Sequence, residues 1–189
     1  MPSNIVIFAS GSGSNAENII RYFDNHPTVK VSAVFTNNRQ AGVINKALNA
    51  GVAVQIFNKA DFTTTDKIID MVNQYNPSII VLAGFLLLVP RNFIQAFDNK
   101  IINLHPSLLP KYGGKGMYGH YVHEAVLNAG ETESGITIHK VNAEFDKGEI
   151  VFQATCAINE NDSVETLAAK IHLLEHEHLP PVIEKLLNE

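Results

Sequence analysis

The stretch that decides the fold is Ile5-Val-Ile-Phe-Ala-Ser-Gly-Ser-Gly-Ser-Asn15. Its first five residues, Ile5–Ala9, are continuously apolar, as a strand buried on both faces of a parallel sheet must be. The glycines then let the backbone turn sharply, and a helix is expected from about Ser14 to His26. Strand, glycine turn and helix in that order open an α/β unit. The turn also offers chemistry, because free N–H groups and a partial positive charge at a helix N-terminus hold anions. Gly13, Ser14 and Asn15 are thus candidates for holding a phosphate, against the alternative of a merely tight strand–helix connection. The loop also fits the dinucleotide fingerprint as Gly11-x-Gly13-x-x-Ala16, which expects an acidic residue about 20 positions on. Phe35-Thr-Asn-Asn-Arg39 supplies none. A mononucleotide-type phosphate therefore fits better than NAD, and the Gly-x-Ser-x-Gly elbow of serine hydrolases is absent.

Working outward, the same alternation continues. Strands are expected at Val29–Phe35, Val52–Phe57, Ser78–Ala83 and Ile101–Leu104. Helices are expected at Gln40–Ala50, closed by Gly51, from Asp61 to about Tyr75, and over Pro90–Phe97. This pattern predicts a doubly wound, mostly parallel sheet with helices on both faces, built by residues 1–189 as one domain. Pro106–Gly119 reads as a long loop, and loops of that length in compact domains are usually functional. A helix near Tyr121–Asn128 follows, then strands Gly135–Val141 and Glu149–Ile158 joined by a turn. Asp162 or Ser163 caps a closing helix, which Pro180-Pro181 is expected to kink or break.

Composition narrows the function. The 189 residues are 46% hydrophobic, ample for one core, and 14 Lys+Arg face 19 Asp+Glu for a net charge of −5. No basic run exists, which argues against a nucleic-acid partner, whose phosphates need a cationic surface. Small molecules are the expected partners, and the residues set no oligomeric state. Cys156 is alone, so no intramolecular disulfide can form. It is expected as a small buried hydrophobe beside Ile150, Phe152, Ala154 and Ile158. Ile5–Ala9 is too short for a signal-peptide core, and Ile79–Val89 falls short of the roughly 20 residues of a membrane span. A cytoplasmic setting is expected.

Three further constellations could carry chemistry. In Asn103-Leu-His105-Pro-Ser, residues two apart on a strand share a face at its carboxyl end, where α/β sheets hold ligands. An amide can stabilise an oxyanion and an imidazole can relay a proton. The alternative, polar groups that only bond the backbone, stands open on the residues alone. Asp146, in Glu144-Phe-Asp-Lys-Gly148, is by spacing first a turn former. His139 shares a face with Thr137 and Val141 and reads as a half-buried strand histidine. His172 and His176 are four apart on the last helix and could share a metal, but no cysteine joins them. Solvated or helix-terminal histidines are the preferred reading, and no metal is expected.

Taken together, Ser10-Gly-Ser-Gly-Ser-Asn15, Val81-Leu-Ala-Gly-Phe85, Asn103-Leu-His105-Pro-Ser-Leu-Leu-Pro-Lys-Tyr112, Gly135-Ile-Thr-Ile-His139 and Glu175-His176 resemble the phosphoribosylglycinamide formyltransferase family, in its order and over essentially the whole chain. The resemblance implies transfer of a formyl group from the co-substrate 10-formyltetrahydrofolate to the amine of N1-(5-phosphoribosyl)glycinamide in de novo purine biosynthesis. It implies that Asn103, a protonated His105 and Asp146 surround the formyl carbon, with Asp146 keeping the imidazole charged. Gly13, Ser14 and Asn15 would hold the phosphate, Glu175 the ribose hydroxyls, and the Gly84 backbone the glycinamide. Phe85, Leu86, Leu87, Leu88 and Val89, with Ala143, Glu144 and Phe145, would line the pterin pocket. The chain departs from the family at Leu86-Leu87, often Met-Arg, and at Gly113-Gly114, often Pro-Gly, where a more mobile loop is expected. A methionyl-tRNA formyltransferase would be expected to add a basic domain, and a formyltetrahydrofolate hydrolase an N-terminal one. A non-catalytic phosphate sensor would have no use for the trio.

Overall fold

The structure is a computed structural model describing residues 2–189. Seven strands form one sheet in the order β3-β2-β1-β4-β5-β6-β7. β1 (Ser3–Phe8), β2 (Val29–Thr36), β3 (Ala53–Ile56), β4 (Ile79–Leu82) and β5 (Ile101–His105) run parallel. β6 (Glu133–Lys140) and β7 (Ile150–Ala157) add an antiparallel edge. The expected doubly wound, mostly parallel sheet is present.

Period-two alternation divides the core into two layers. Ile5 and Ile7 of β1 pack with α1 (Ser14–Tyr22), α2 (Val43–Asn49), α6 (His120–Asn128) and α7 (Val164–Asn188). Val6 and Phe8 face the opposite layer, with α3 (Lys59–Thr64), α4 (Lys67–Asn73) and α5 (Arg91–Ala96). That second layer is aromatic. Phe8 stacks on Phe35 at 5.0 Å and meets Phe93 edge-on at 5.5 Å.

Local chemistry moved several boundaries. α1 stops at Tyr22 rather than His26, and Asn25 turns left-handed at φ 61 ahead of Pro27. The helix expected from Asp61 to Tyr75 is two, because Thr65 is extended at φ −138, ψ 167. Thr63, Thr64 and Thr65 each donate a hydroxyl proton to the carbonyl four residues back, a bond that competes with regular helix. Cys156 packs against the core but is only half-buried, and burial pushes its thiol up. Ile150 is exposed instead of sharing that environment.

Pro180-Pro181 does not break the last helix. α7 runs unbroken through both prolines, starting from a capping box between Ser163 and Thr166. Pro180 has no N–H for the carbonyl of His176, one turn earlier. Asn18 Nδ2 of α1 donates to that carbonyl instead, at 2.8 Å. The long helix is thereby latched to the helix that follows the glycine loop. No helix among the described residues is long and apolar enough to cross a membrane. Asn18→Ala is expected to cost about 1 kcal/mol in urea unfolding with an unchanged m value. The loss should be smaller when Pro180→Ala restores the helical donor.

Candidate active site

The strand order reverses between β1 and β4, and such a reversal opens a crevice beyond the carboxyl ends of the strands. Ser10 holds that crevice together. Its N–H donates to the Gly84 carbonyl at 3.0 Å, and its hydroxyl donates to Asn37 Oδ1 at 2.6 Å. The hydroxyl oxygen also accepts from Leu86 N–H at 3.1 Å. The loops after β1, β2 and β4 thus share one buried serine. Between them and α7 lies a cavity of about 980 Å³.

Asn103 and His105 close β5 on this cavity, and β6 lies antiparallel beside them. Asn103 stands directly opposite His139, and its Nδ2 donates to His139 Nε2 at 3.0 Å. Asp146 then meets all three from above. Its Oδ1 lies 3.5 Å from both Asn103 Nδ2 and His139 Nε2, and its Oδ2 lies 3.7 Å from His105 Nδ1. Asp146 adopts a left-handed φ of 53, and its Oδ2 accepts from Gly114 N–H at 2.8 Å. The turn former is also the keystone of the cluster. Strain of this kind persists only where the surroundings over-determine it.

Hydrogen bonds fix both imidazoles. His105 Nε2 lies 2.8 Å from the Tyr112 carbonyl, which can only accept, so Nε2 carries the proton. Neutral His105 therefore turns the lone pair of Nδ1 toward Asp146. His139 Nδ1 faces the Lys140 carbonyl at 2.9 Å by the same logic, leaving Nε2 to accept from Asn103. Burial pushes His105 below the ordinary imidazole value, and the Asp146 carboxylate offsets that only in part. Unliganded, His105 is therefore neutral at pH 7, unlike the protonated form implied by the family likeness. Burial pushes Asp146 up, but the neighbouring His139 imidazole and the N–H of Gly114 outweigh it and hold the carboxyl below its usual range.

The loop after β5 is anchored where it begins. Thr137 Oγ1 accepts from Leu109 N–H at 3.0 Å and donates to the Ser107 carbonyl at 2.7 Å. Ser107 Oγ donates to the Lys111 carbonyl at 3.0 Å. These bonds set Tyr112, and so the proton on His105.

Gly13, Ser14 and Asn15 line one end of the cavity with Glu175, and Asn15 Nδ2 donates to Glu175 Oε2 at 2.8 Å. Gly84 and the run Phe85, Leu86, Leu87, Leu88 and Val89 line it too, as do Glu144 and Phe145. Ala143 is the exception among the expected residues. Glu144 N–H donates to Asn142 Oδ1 at 2.9 Å, and this side-chain turn leaves Ala143 exposed and off the cavity wall.

A sequence profile described as formyl transferase matches residues 3–183. The chain belongs to the formyl transferase family. A chloroplastic phosphoribosylglycinamide formyltransferase of Arabidopsis thaliana is 37% identical over 98% of this chain, and the chain spans 65% of that relative's length. The enzyme of the same name from Bacillus subtilis is 36% identical over 96% of this chain and 93% of its own. The crystal structure of phosphoribosylglycinamide formyltransferase from Brucella melitensis superposes with a TM-score of 0.89 at 35% identity. That match covers 100% of this chain and 97% of the other.

Within this formyl transferase scaffold, sequence reasoning missed His139 as a site residue, along with His123 and His172, which also line the cavity. The signal for His139 was its place two residues from Thr137 on a strand, but only the β5–β6 register sets it opposite Asn103. Gly13 has little freedom. Its φ is 74, and a Cβ there would lie 2.4 Å from the Val43 side chain of α2. Gly13→Ala is expected to lower stability by about 2–3 kcal/mol, read as a fall in Tm. Stability should also fall as pH drops below the ordinary histidine value of 6.5, because folded His105 resists the proton the unfolded chain accepts. A melting series on His105→Asn should be flatter between pH 7 and 5 than on the parent chain.

Proposed function

We propose that this chain transfers the formyl group of 10-formyltetrahydrofolate to the amine of N1-(5-phosphoribosyl)glycinamide, a step of purine biosynthesis. One observation carries the reading: a carboxamide, two imidazoles and a carboxylate converge on a cavity that is also lined by a glycine loop at a helix N-terminus. In the proposed complex Gly13, Ser14 and Asn15 hold the phosphate, Glu175 takes the ribose hydroxyls, and the Gly84 backbone orients the glycinamide. The apolar wall from Phe85 to Val89, facing Glu144 and Phe145, suits a flat, largely apolar pterin. The partners are small molecules rather than nucleic acid, in keeping with the net charge of −5 and a cytoplasmic setting.

The amine lone pair attacks the formyl carbon and puts negative charge on the formyl oxygen. Asn103 offers Nδ2–H, whose bond to Asp146 is long at 3.5 Å and open to exchange for that oxygen. One such donor typically contributes about 100- to 1,000-fold in rate. His105 is a neutral base at the start, with Nδ1 free to take the proton the attacking nitrogen must lose. The imidazolium so formed sits 3.7 Å from Asp146, which stabilises it. The proton passes to N10, the C–N10 bond breaks, and the N-formylated glycinamide ribonucleotide and tetrahydrofolate leave with no net proton consumed. His139 acts through Asn103 by fixing the amide's orientation.

Mixing the protein with both substrates should produce the absorbance change of folate deformylation only when the ribonucleotide is present. Asn103→Ala, His105→Ala and Asp146→Asn should each lower kcat by at least about 100-fold. Near-normal rates in two of the three would remove the mechanism. kcat should hold from pH 8 down past 6.5 and fall only in more acidic solution, because burial keeps His105 neutral. Residual activity of Asp146→Asn should show that acid limb moved to still lower pH, since the carboxylate no longer favours the imidazolium.

A further inference from the structure

The β7 edge of the sheet is unguarded. Among the described residues β7 pairs only with β6, and Ile150–Ala157 carries neither a charge nor a proline. Edge strands are normally kept from pairing by short length, charge, proline or a covering element. The opposite edge obeys that rule, since β3 has only four residues, but β7 has eight. Ile158 N–H donates to the Thr132 carbonyl, so Ile158, Cys156 and Ala154 turn their backbone groups to β6. Gln153 and Thr155 turn theirs outward. Lys170 of α7 takes the Ala157 carbonyl at 3.1 Å, and the register shift between Ile138 and His139 leaves Val151 without an opposite number on β6. The regular, open part of the edge is thus centred on Ala154.

α7 supplies a second, independent feature. It packs over both β6 and β7. Lys170 lies beside Ala157, and His178 lies against Phe152 with ring centroids 5.0 Å apart, so α7 runs antiparallel to β7. Midway between those contacts Leu174 packs on the core, whereas Leu173 is 71% exposed, more than any other exposed large hydrophobic among the described residues. Lys170, Leu173 and Glu177 follow at helical spacings of three and four, which makes one stripe on the side of the edge. A cation, an apolar centre and an anion in that order form a pattern complementary to its own reverse.

We propose that β7 pairs with β7 of a second copy of this chain, antiparallel about a two-fold axis at Ala154, and continues the sheet across the interface. A two-fold interface requires a surface complementary to itself. Gln153 then stands opposite Thr155 of the second copy, and the two exchange backbone bonds while Lys170 keeps the Ala157 carbonyl. The α7 stripe obeys the same axis. Leu173 meets its own copy, and Lys170 comes to Glu177 of the second copy at both ends. Lys170 has an N–H donor left for it after Asp162 and Ala157 are served. Because α7 lies over both β6 and β7, its copy falls two strand spacings away, about 10 Å, the separation at which helices pack. One axis therefore satisfies strand and helix together. No catalytic group takes part, so the pairing is independent of the transfer reading.

Sedimentation of the parent chain from about 1 to 100 μM should show a monomer–dimer equilibrium. Leu173→Glu sets two carboxylates together on the axis, and Thr155→Pro removes an N–H that points away from β6. Each should raise the dissociation constant at least about tenfold while circular dichroism keeps its parent form. Leu173→Glu changes only an exposed helical position, so it reports on pairing even where Thr155→Pro fails to fold. Ala154→Cys on a Cys156→Ser background should oxidise to a covalent dimer, and Ala157→Cys on that background should not, because only a residue on the axis meets itself. A parent chain that stays monomeric at the top of the concentration range would overturn the proposal. So would a dimer unmoved by Leu173→Glu, or one that Ala154→Cys does not cross-link.

Discussion

A half-buried carboxylate cannot stay charged without partners, and the site is built around that constraint. Asp146 sits at a left-handed turn, accepts a backbone N–H from the loop after β5, and faces two imidazoles and an amide. The N–H donors of Gly114 and Asn103 keep the carboxyl ionised, and each contact also positions the group that makes it. The hairpin between β6 and β7 and the loop after β5 are thereby locked against each other. Removal of the negative charge would leave two histidines and an amide with no common focus.

The sheet brings that focus to the cavity. Reversal of strand order beside β1 opens the crevice, and Ser10 stitches the loops on either side of it through three hydrogen bonds. The antiparallel strand β6 contributes what a purely parallel sheet could not, a residue directly across from Asn103. Farther along, α7 carries Glu175 and His172 to the glycine loop and is held on α1 through Asn18. Chemistry and anchoring therefore reside on different elements, all rooted in one sheet.

Much of this was legible in the residues, for reasons that are local. Ile5–Ala9 and the glycines after it announce a buried strand and a tight turn, and Asn103 and His105 share a face by simple alternation. What could not be read was pairing between distant segments. Asp146 looked first like a turn former because spacing reports the turn and not what lies across from it. His139 looked like an ordinary strand histidine because register between β5 and β6 is a tertiary fact. His172 looked solvated because a helical period does not reveal which loop a face will meet. The prolines of α7 misled for a related reason: the carbonyl freed by Pro180 finds its partner 158 residues away in sequence. Thr63–Thr65, by contrast, carried a local signal for the break between α3 and α4 in their competing hydroxyls.

The most direct test is a crystal structure of the protein with the ribonucleotide and a non-transferable folate analogue bound together. The account predicts the phosphate on the N–H groups of Gly13–Asn15, and the amine within about 3.5 Å of the carbon that stands for the formyl group. It predicts Asn103 Nδ2 and His105 Nδ1 at about 3 Å from the analogue's oxygen and the transferring nitrogen respectively, with Asp146 still between the imidazoles. A phosphate seated away from that loop, or a formyl position beyond reach of both Asn103 and His105, would contradict it.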